Sequence, residues 1–167
     1  MKRVTLSLLF LTAACDVERP NAQEKEAQDL RDIAMVEAAQ KIDPPREPVT
    51  PEEITDPDFE DRDLMGVGCN FTPTGQRNPI AVGLPGAAFI KLNAKMERLA
   101  ADKGGQQMPF GTWAKYDGKK YVLKFAKDNS DGKPLGSEAT QWSGRMTLLD
   151  PYDRSIYESF GTFQCGS

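Results

Sequence analysis

Hydrophobic and polar positions divide this chain of 167 residues into three regimes. Val4 to Leu11 is a short apolar run behind Met1-Lys2-Arg3, interrupted only by Thr5 and Ser7. From Ala22 to about Lys41 neither Gly nor Pro occurs, and Ala27, Leu30, Ile33, Ala34 and Ala38 recur at helical spacing. That spacing predicts a helix over about 22–41 with a thin apolar stripe. Asn21 and Glu24 supply a variant capping box at its start, and Asp43-Pro44-Pro45 stops it, because a residue before proline is pushed out of the α region. Residues 43–63 are rich in proline and carboxylates and poor in large apolar side chains, which predicts an extended, semi-rigid linker.

From Leu64 the chain alternates in short runs punctuated by Gly, Pro, Asn and Asp. Candidate strands are 66–72, 79–84, 87–93, 97–101, 111–116, 119–127, 138–149 and 155–165. The expected fold is all-β, a small antiparallel barrel or sandwich of about eight strands, preceded by the helix and the linker. Cys69-Asn70-Phe71 and Phe163-Gln164-Cys165 are mirror images. If the first and last strands pair antiparallel with Cys69 opposite Cys165, Phe71 falls opposite Phe163 on the same face. Asp117-Gly118 reads as a two-residue type I′ hairpin turn. It places Thr112, Ala114, Tyr116, Tyr121, Leu123 and Phe125 on the core side, and Trp113, Lys115, Lys120, Val122 and Lys124 on the other.

Charge changes the picture along the chain. Residues 16–63 hold 6 basic and 16 acidic side chains (net −10), and residues 64–167 hold 13 basic and 9 acidic (net +4). The sequence contains no histidine, which excludes a Ser-His-Asp triad, a Cys-His pair and His-bearing zinc sites. Asp56, Asp58, Glu60, Asp61 and Asp63 lack the loop glycine and twelfth-position glutamate of a calcium-binding EF-hand, so the cluster reads as a solvated acidic face. Asp150, Asp153 and Glu158 near "DPYDRS" are the available catalytic carboxylates, but that segment has ordinary turn chemistry. The expectation is therefore a non-enzyme with no metal, no cofactor and no nucleic-acid partner.

The basic start, the apolar run and the small residues Thr12-Ala13-Ala14 have the layout of a secretory signal peptide over residues 1–14, too short to span a bilayer. Leu11-Thr12-Ala13-Ala14-Cys15 resembles the lipobox of bacterial lipoproteins, with Thr12 where leucine is usual. That resemblance implies lipidation of Cys15 and a membrane anchor, since two or three acyl chains give stable attachment. It leaves Cys69 and Cys165 as an even pair in an oxidising compartment, where a disulfide is expected. Residues 15–63 would then form a lipid-anchored acidic arm, and 64–167 a disulfide-clasped β domain. The localisation implied is the cell envelope, facing the periplasm, with the choice between inner and outer membrane open.

The β domain also resembles the membrane-bound lysozyme inhibitors of Gram-negative bacteria. "DGKKYVL" is similar to their DGK-x-Y-x-L hairpin, and Ser143-Gly144-Arg145 to their inhibitory serine-glycine loop, without the aromatic residue that follows it there. An inhibitor of a peptidoglycan hydrolase acting through Ser143 and Arg145 is what this resemblance implies. The residues themselves point first to a tethered binding or structural module. Trp113 with Lys115, Lys120 and Lys124 is its candidate contact site for anionic lipid, peptidoglycan or an envelope protein. The simpler alternative has the lysines solvating an edge and Trp113 packed under a loop such as 128–136.

Overall fold

The computed structural model describes residues 21–40 and 44–167. Cys15, its lipidation and the signal peptide lie outside the described residues. Two units are resolved by internal contacts, with the boundary between Pro44 and Pro45. The first contains helix α1 (Ala22–Gln40). Its capping box is formed: the Glu24 N–H donates to Asn21 Oδ1 at 2.9 Å, and the Asn21 N–H donates to Glu24 Oε2 at 3.0 Å. None of its residues is buried, so the stripe containing Leu30 and Ile33 is exposed on the helix. No helix among the described residues is long and apolar enough to cross a membrane.

The second unit is a closed antiparallel barrel of eight strands with one extra strand. The strands are β1 (Gly68–Pro73), β2 (Ala81–Gly83), β3 (Ala87–Leu92), β4 (Lys95–Ala101), β5 (Lys115–Asp117), β6 (Val122–Lys127), β7 (Lys133–Leu135), β8 (Ala139–Leu149) and β9 (Ser155–Gly166). Successive strands pair from β1 to β6, β6 closes onto β8, and β9 joins β8 back to β1. The short β7 lies outside the barrel wall, along the first residues of β8. The first and last strands carry the expected register, with Cys69 opposite Cys165 and Phe71 opposite Phe163. A disulfide joins the two cysteines.

Alternation in this register sends one side chain in two into the barrel. Phe71 and Phe163 meet at a ring separation of 4.9 Å, Phe125 stands edge-on to Phe163 at 5.2 Å, and Tyr116 edge-on to Phe125 at 5.8 Å. Ile80, Ile90, Leu99, Leu123, Met146 and Leu148 complete the filling, all at 1% exposure or less. At about 1.5–3 kcal/mol per buried large side chain, this interior is the main favourable term of the fold. The buried Tyr116 hydroxyl donates to the Leu84 carbonyl at 3.0 Å and accepts the Trp113 N–H at 3.0 Å. Gly83 makes room for it: a Cβ there would stand 2.9 Å from the Phe125 ring and 3.0 Å from the Tyr116 oxygen.

Two expectations are corrected. Residues 45–63 are not an extended linker but belong to the barrel unit. Ile54 and Leu64 pack on Val82 with Phe59, Leu84, Phe89 and Met96, covering the outer face of β2, β3 and β4. The physical reason is that the outer face here carries the apolar patch Val82, Leu84, Phe89 and Met96, which is covered rather than left to solvent. The Glu52 N–H donates to the Lys91 carbonyl at 2.8 Å and the Ile54 N–H to the Pro79 carbonyl at 2.7 Å, where β2 stops short of its neighbour. Helix α2 (Asp56–Arg62) follows, with Pro57 in its first turn. Asp58 accepts from the Thr55 N–H and hydroxyl, both at 2.9 Å, and binds the Lys91 ammonium at 2.9 Å. These contacts with Lys91 and Thr55 hold its carboxyl at about 2.

The hairpin is the second correction. Asp117 pairs with Val122 and Lys115 with Lys124, so residues 118–121 connect the strands and Asp117 is not a turn residue. Asp117 is instead held between Ala100 of β4 and the Lys115 ammonium, and neither it nor Gly118 has a positive φ. Tertiary pairing thus overrides the local turn signal. Relative to a two-residue turn the partner of Tyr116 moves from Lys119 to Leu123, four residues on. An even slip preserves the faces, which is why Tyr116, Leu123 and Phe125 are still in the core.

Candidate functional site

The register slip brings together residues from two separate sequence expectations. Lys115 on β5 faces Lys124 on β6, Lys124 faces Thr147 on β8, and Thr147 faces Glu158 on β9. These positions form one outward row across the wall. In the next row Ala126 faces Arg145, and Arg145 faces Phe160. Closure of β6 onto β8 is therefore what sets Arg145 beside the lysines. Together with Gln106 they line an open groove of about 480 Å³, floored by Ala114, Ala126 and Leu149.

Its charges are largely answered from within. The Lys115 ammonium lies 3.1 Å from Asp117 and 3.5 Å from Asp102, and hydrogen bonding to Asp117, followed by its charge, raises the Lys115 pKa above the ordinary lysine value. Arg145 lies 3.7 Å from Glu158. Lys124 has no ion pair among the described residues. The groove presents alternating donors and acceptors with little net charge. Phe160, 65% exposed, does not line the groove but is the β9 ladder partner of Arg145, which does.

The other nominated residues are elsewhere. Trp113 is half-buried against the core, and its Nε1–H donates to the Pro85 carbonyl at 3.1 Å. Lys120 sits in the 118–121 connection, beside a second opening of about 350 Å³ shared with Glu97, Arg98 and Lys119. The proposed cover for Trp113, the loop after Asp128, instead covers Trp142, whose Nε1–H donates to the Ser130 carbonyl at 3.1 Å with Lys127 Nζ 5.4 Å from the ring centroid. Ser143 is exposed and paired with Thr162. The Ser143-Gly144-Arg145 segment is not a protruding loop. It is ladder, with Gly144 paired to both Lys127 and Gly161, and a Cβ on Gly144 would run into the Ala126 carbonyl and the Phe163 ring.

Two of the three candidate catalytic carboxylates, Asp150 and Glu158, have structural partners. Asp150 accepts the N–H groups of Tyr152 at 2.9 Å and Arg154 at 3.0 Å, and binds the Arg154 guanidinium at 2.6 Å, closing the β8–β9 corner. Asp153 occupies that turn with φ 57°. Glu158 is the partner of Arg145. No group of three or more metal-ligating side chains is assembled among the described residues.

Phe160 is the site residue that sequence reading overlooked. The signal was present: with Phe163 and Cys165 directed inward, period-two alternation sends Glu158, Phe160, Thr162 and Gln164 outward. No protein family, curated protein or solved structure matches this chain.

Proposed function

We propose that this protein is a cell-envelope lipoprotein, tethered to a membrane through Cys15 and facing the periplasm, whose barrel is a non-catalytic binding module contacting its ligand at the Lys115–Lys124–Arg145 groove. The observation that carries this reading is the convergence of three cations from three different strands on one face of a barrel whose interior is filled by its own aromatic side chains. Binding by such a barrel falls to its outer surface. The lipobox-like sequence before Cys15 supports the tether, and the Cys69–Cys165 disulfide suits an oxidising compartment. Detergent-phase partitioning of the intact protein tests the anchor: Cys15→Ala moves it to the aqueous phase if Cys15 carries lipid. For the groove, the triple variant Lys115→Glu, Lys124→Glu and Arg145→Glu loses capture of envelope material that Lys120→Ala retains. Equal capture by both variants overturns the groove assignment.

A further inference from the structure

We infer that the groove binds a glycan strand of low net charge, such as one built of N-acetylated hexosamines, with Phe160 as its stacking platform. This inference rests on the groove reading above and specifies its ligand class. Four kinds of observation favour a sugar polymer. Its cations are already neighboured by carboxylates, Lys115 by Asp102 and Asp117 and Arg145 by Glu158, which leaves Lys124 as the groove's one cation without an ion pair among the described residues. A membrane surface gains only about 1 kcal/mol from each nearby lysine or arginine, so a single free lysine is a weak lipid contact. Pre-paired charges, by contrast, present fixed donors and acceptors side by side, and hydroxyl and acetamido groups use both.

The aromatic residue supplies the second argument. Phe160 is 65% exposed beside Arg145 on the outer face of two long strands, where its ring is open to the C–H face of a sugar. Third, the apolar residues lining the groove are Ala114, Ala126, Leu149 and Phe125, and the two large ones, Leu149 and Phe125, are buried and offer little surface to a partner. A stable protein partner needs a desolvated apolar centre around its anchors, and this floor is too poor in exposed large side chains to provide one. Fourth, the row from Lys115 to Glu158 crosses four adjacent strands. Three inter-strand steps span about 14 Å, the length of about three hexose rings.

The test uses the full chain in detergent micelles and three probes: chitotetraose, vesicles containing phosphatidylglycerol, and a poly-glutamate peptide. The expected result is saturable chitotetraose binding that weakens about tenfold or more in Phe160→Ala and in Arg145→Ala and is unchanged in Lys120→Ala. Phe160 is exposed, so its truncation leaves the fold intact, which circular dichroism checks. Raising salt from about 50 mM to about 500 mM should change this affinity little, because screening weakens exposed charge contacts and spares stacking and hydrogen bonds. Absence of saturable chitotetraose binding overturns the glycan assignment. If the vesicles or poly-glutamate then bind and lose binding in Lys124→Glu, the groove stands and only its ligand class falls. Chitotetraose binding that is indifferent to Phe160→Ala and Arg145→Ala overturns both the glycan assignment and the groove.

Discussion

Replacing Ile54 by alanine tests whether the proline-rich acidic segment is part of the folded unit. Ile54 is 1% exposed and sits among Leu64, Val82, Phe59 and Phe89. The substitution removes three buried carbons, about 2.4 kcal/mol at about 0.8 kcal/mol each. A residual cavity adds to this, within the span of about 2–5 kcal/mol for isoleucine truncation in a core. We expect a loss of about 3 kcal/mol in urea unfolding followed by tryptophan fluorescence, a large fraction of a typical domain stability of about 5–15 kcal/mol. Hydrogen exchange supplies the local readout, because the Glu52 and Ile54 amides donate to Lys91 and Pro79. In the unsubstituted protein both should be protected, and in Ile54→Ala both should exchange faster. If the segment were only a spacer, the substitution would shift stability by less than about 0.5 kcal/mol. Such a small shift, with both amides exchanging at free-peptide rates in the unsubstituted chain, would refute the packing argument.

Two further outcomes are expected. Asp58 is held at about 2 by Lys91 and Thr55 against an ordinary 3.8; a folded-state pKa below the unfolded one contributes stability that is present above about pH 4 and lost as pH falls through about 2. The contribution is about 2 kcal/mol, and acid-induced unfolding of Asp58→Asn, which is less stable at neutral pH, should lack that part of the pH dependence. Opening the disulfide with Cys69→Ala and Cys165→Ala frees a loop with a sequence separation of 96, at a cost of up to about 4.7 kcal/mol; a urea midpoint unchanged in the double variant would contradict this.

The legible parts of this fold were those specified by long-range symmetry in the sequence. The order Cys-x-Phe and its reverse at the two ends admits one register, and that register is the one formed. Face assignment in β5 and β6 survived a wrong turn because inward and outward positions depend only on parity, and the slip was even. What parity does not carry is which residues stand opposite one another. Lys120 was thereby exchanged for Lys124 as the partner of Lys115, and the grouping with Arg145 depends on the β6–β8 closure, a contact between non-consecutive strands. The segment over 45–63 was misread because composition outweighed spacing. Ile54, Phe59 and Leu64 are few among many carboxylates, and their counterpart was the second apolar face of Val82, Leu84 and Phe89. Phe160 was legible by alternation but draws no attention in a strand rich in Phe and Tyr.

The seam between β1 and β9 joins residues 68–73 to 161–166 and carries the disulfide. Nearly the whole barrel is therefore synthesised before its wall can close. Until then β1 and β8 each lack a neighbour, and Cys69 lacks its partner Cys165. A topology closed by its most distant contacts folds slowly, because the loop entropy is lost before the pairing compensates for it. The emerging chain presents unpaired strand edges for that interval, and the Cys69–Cys165 bridge can form only once Cys165, one residue from the end of β9, has been made, so that covalent closure of the barrel waits on nearly all of its residues.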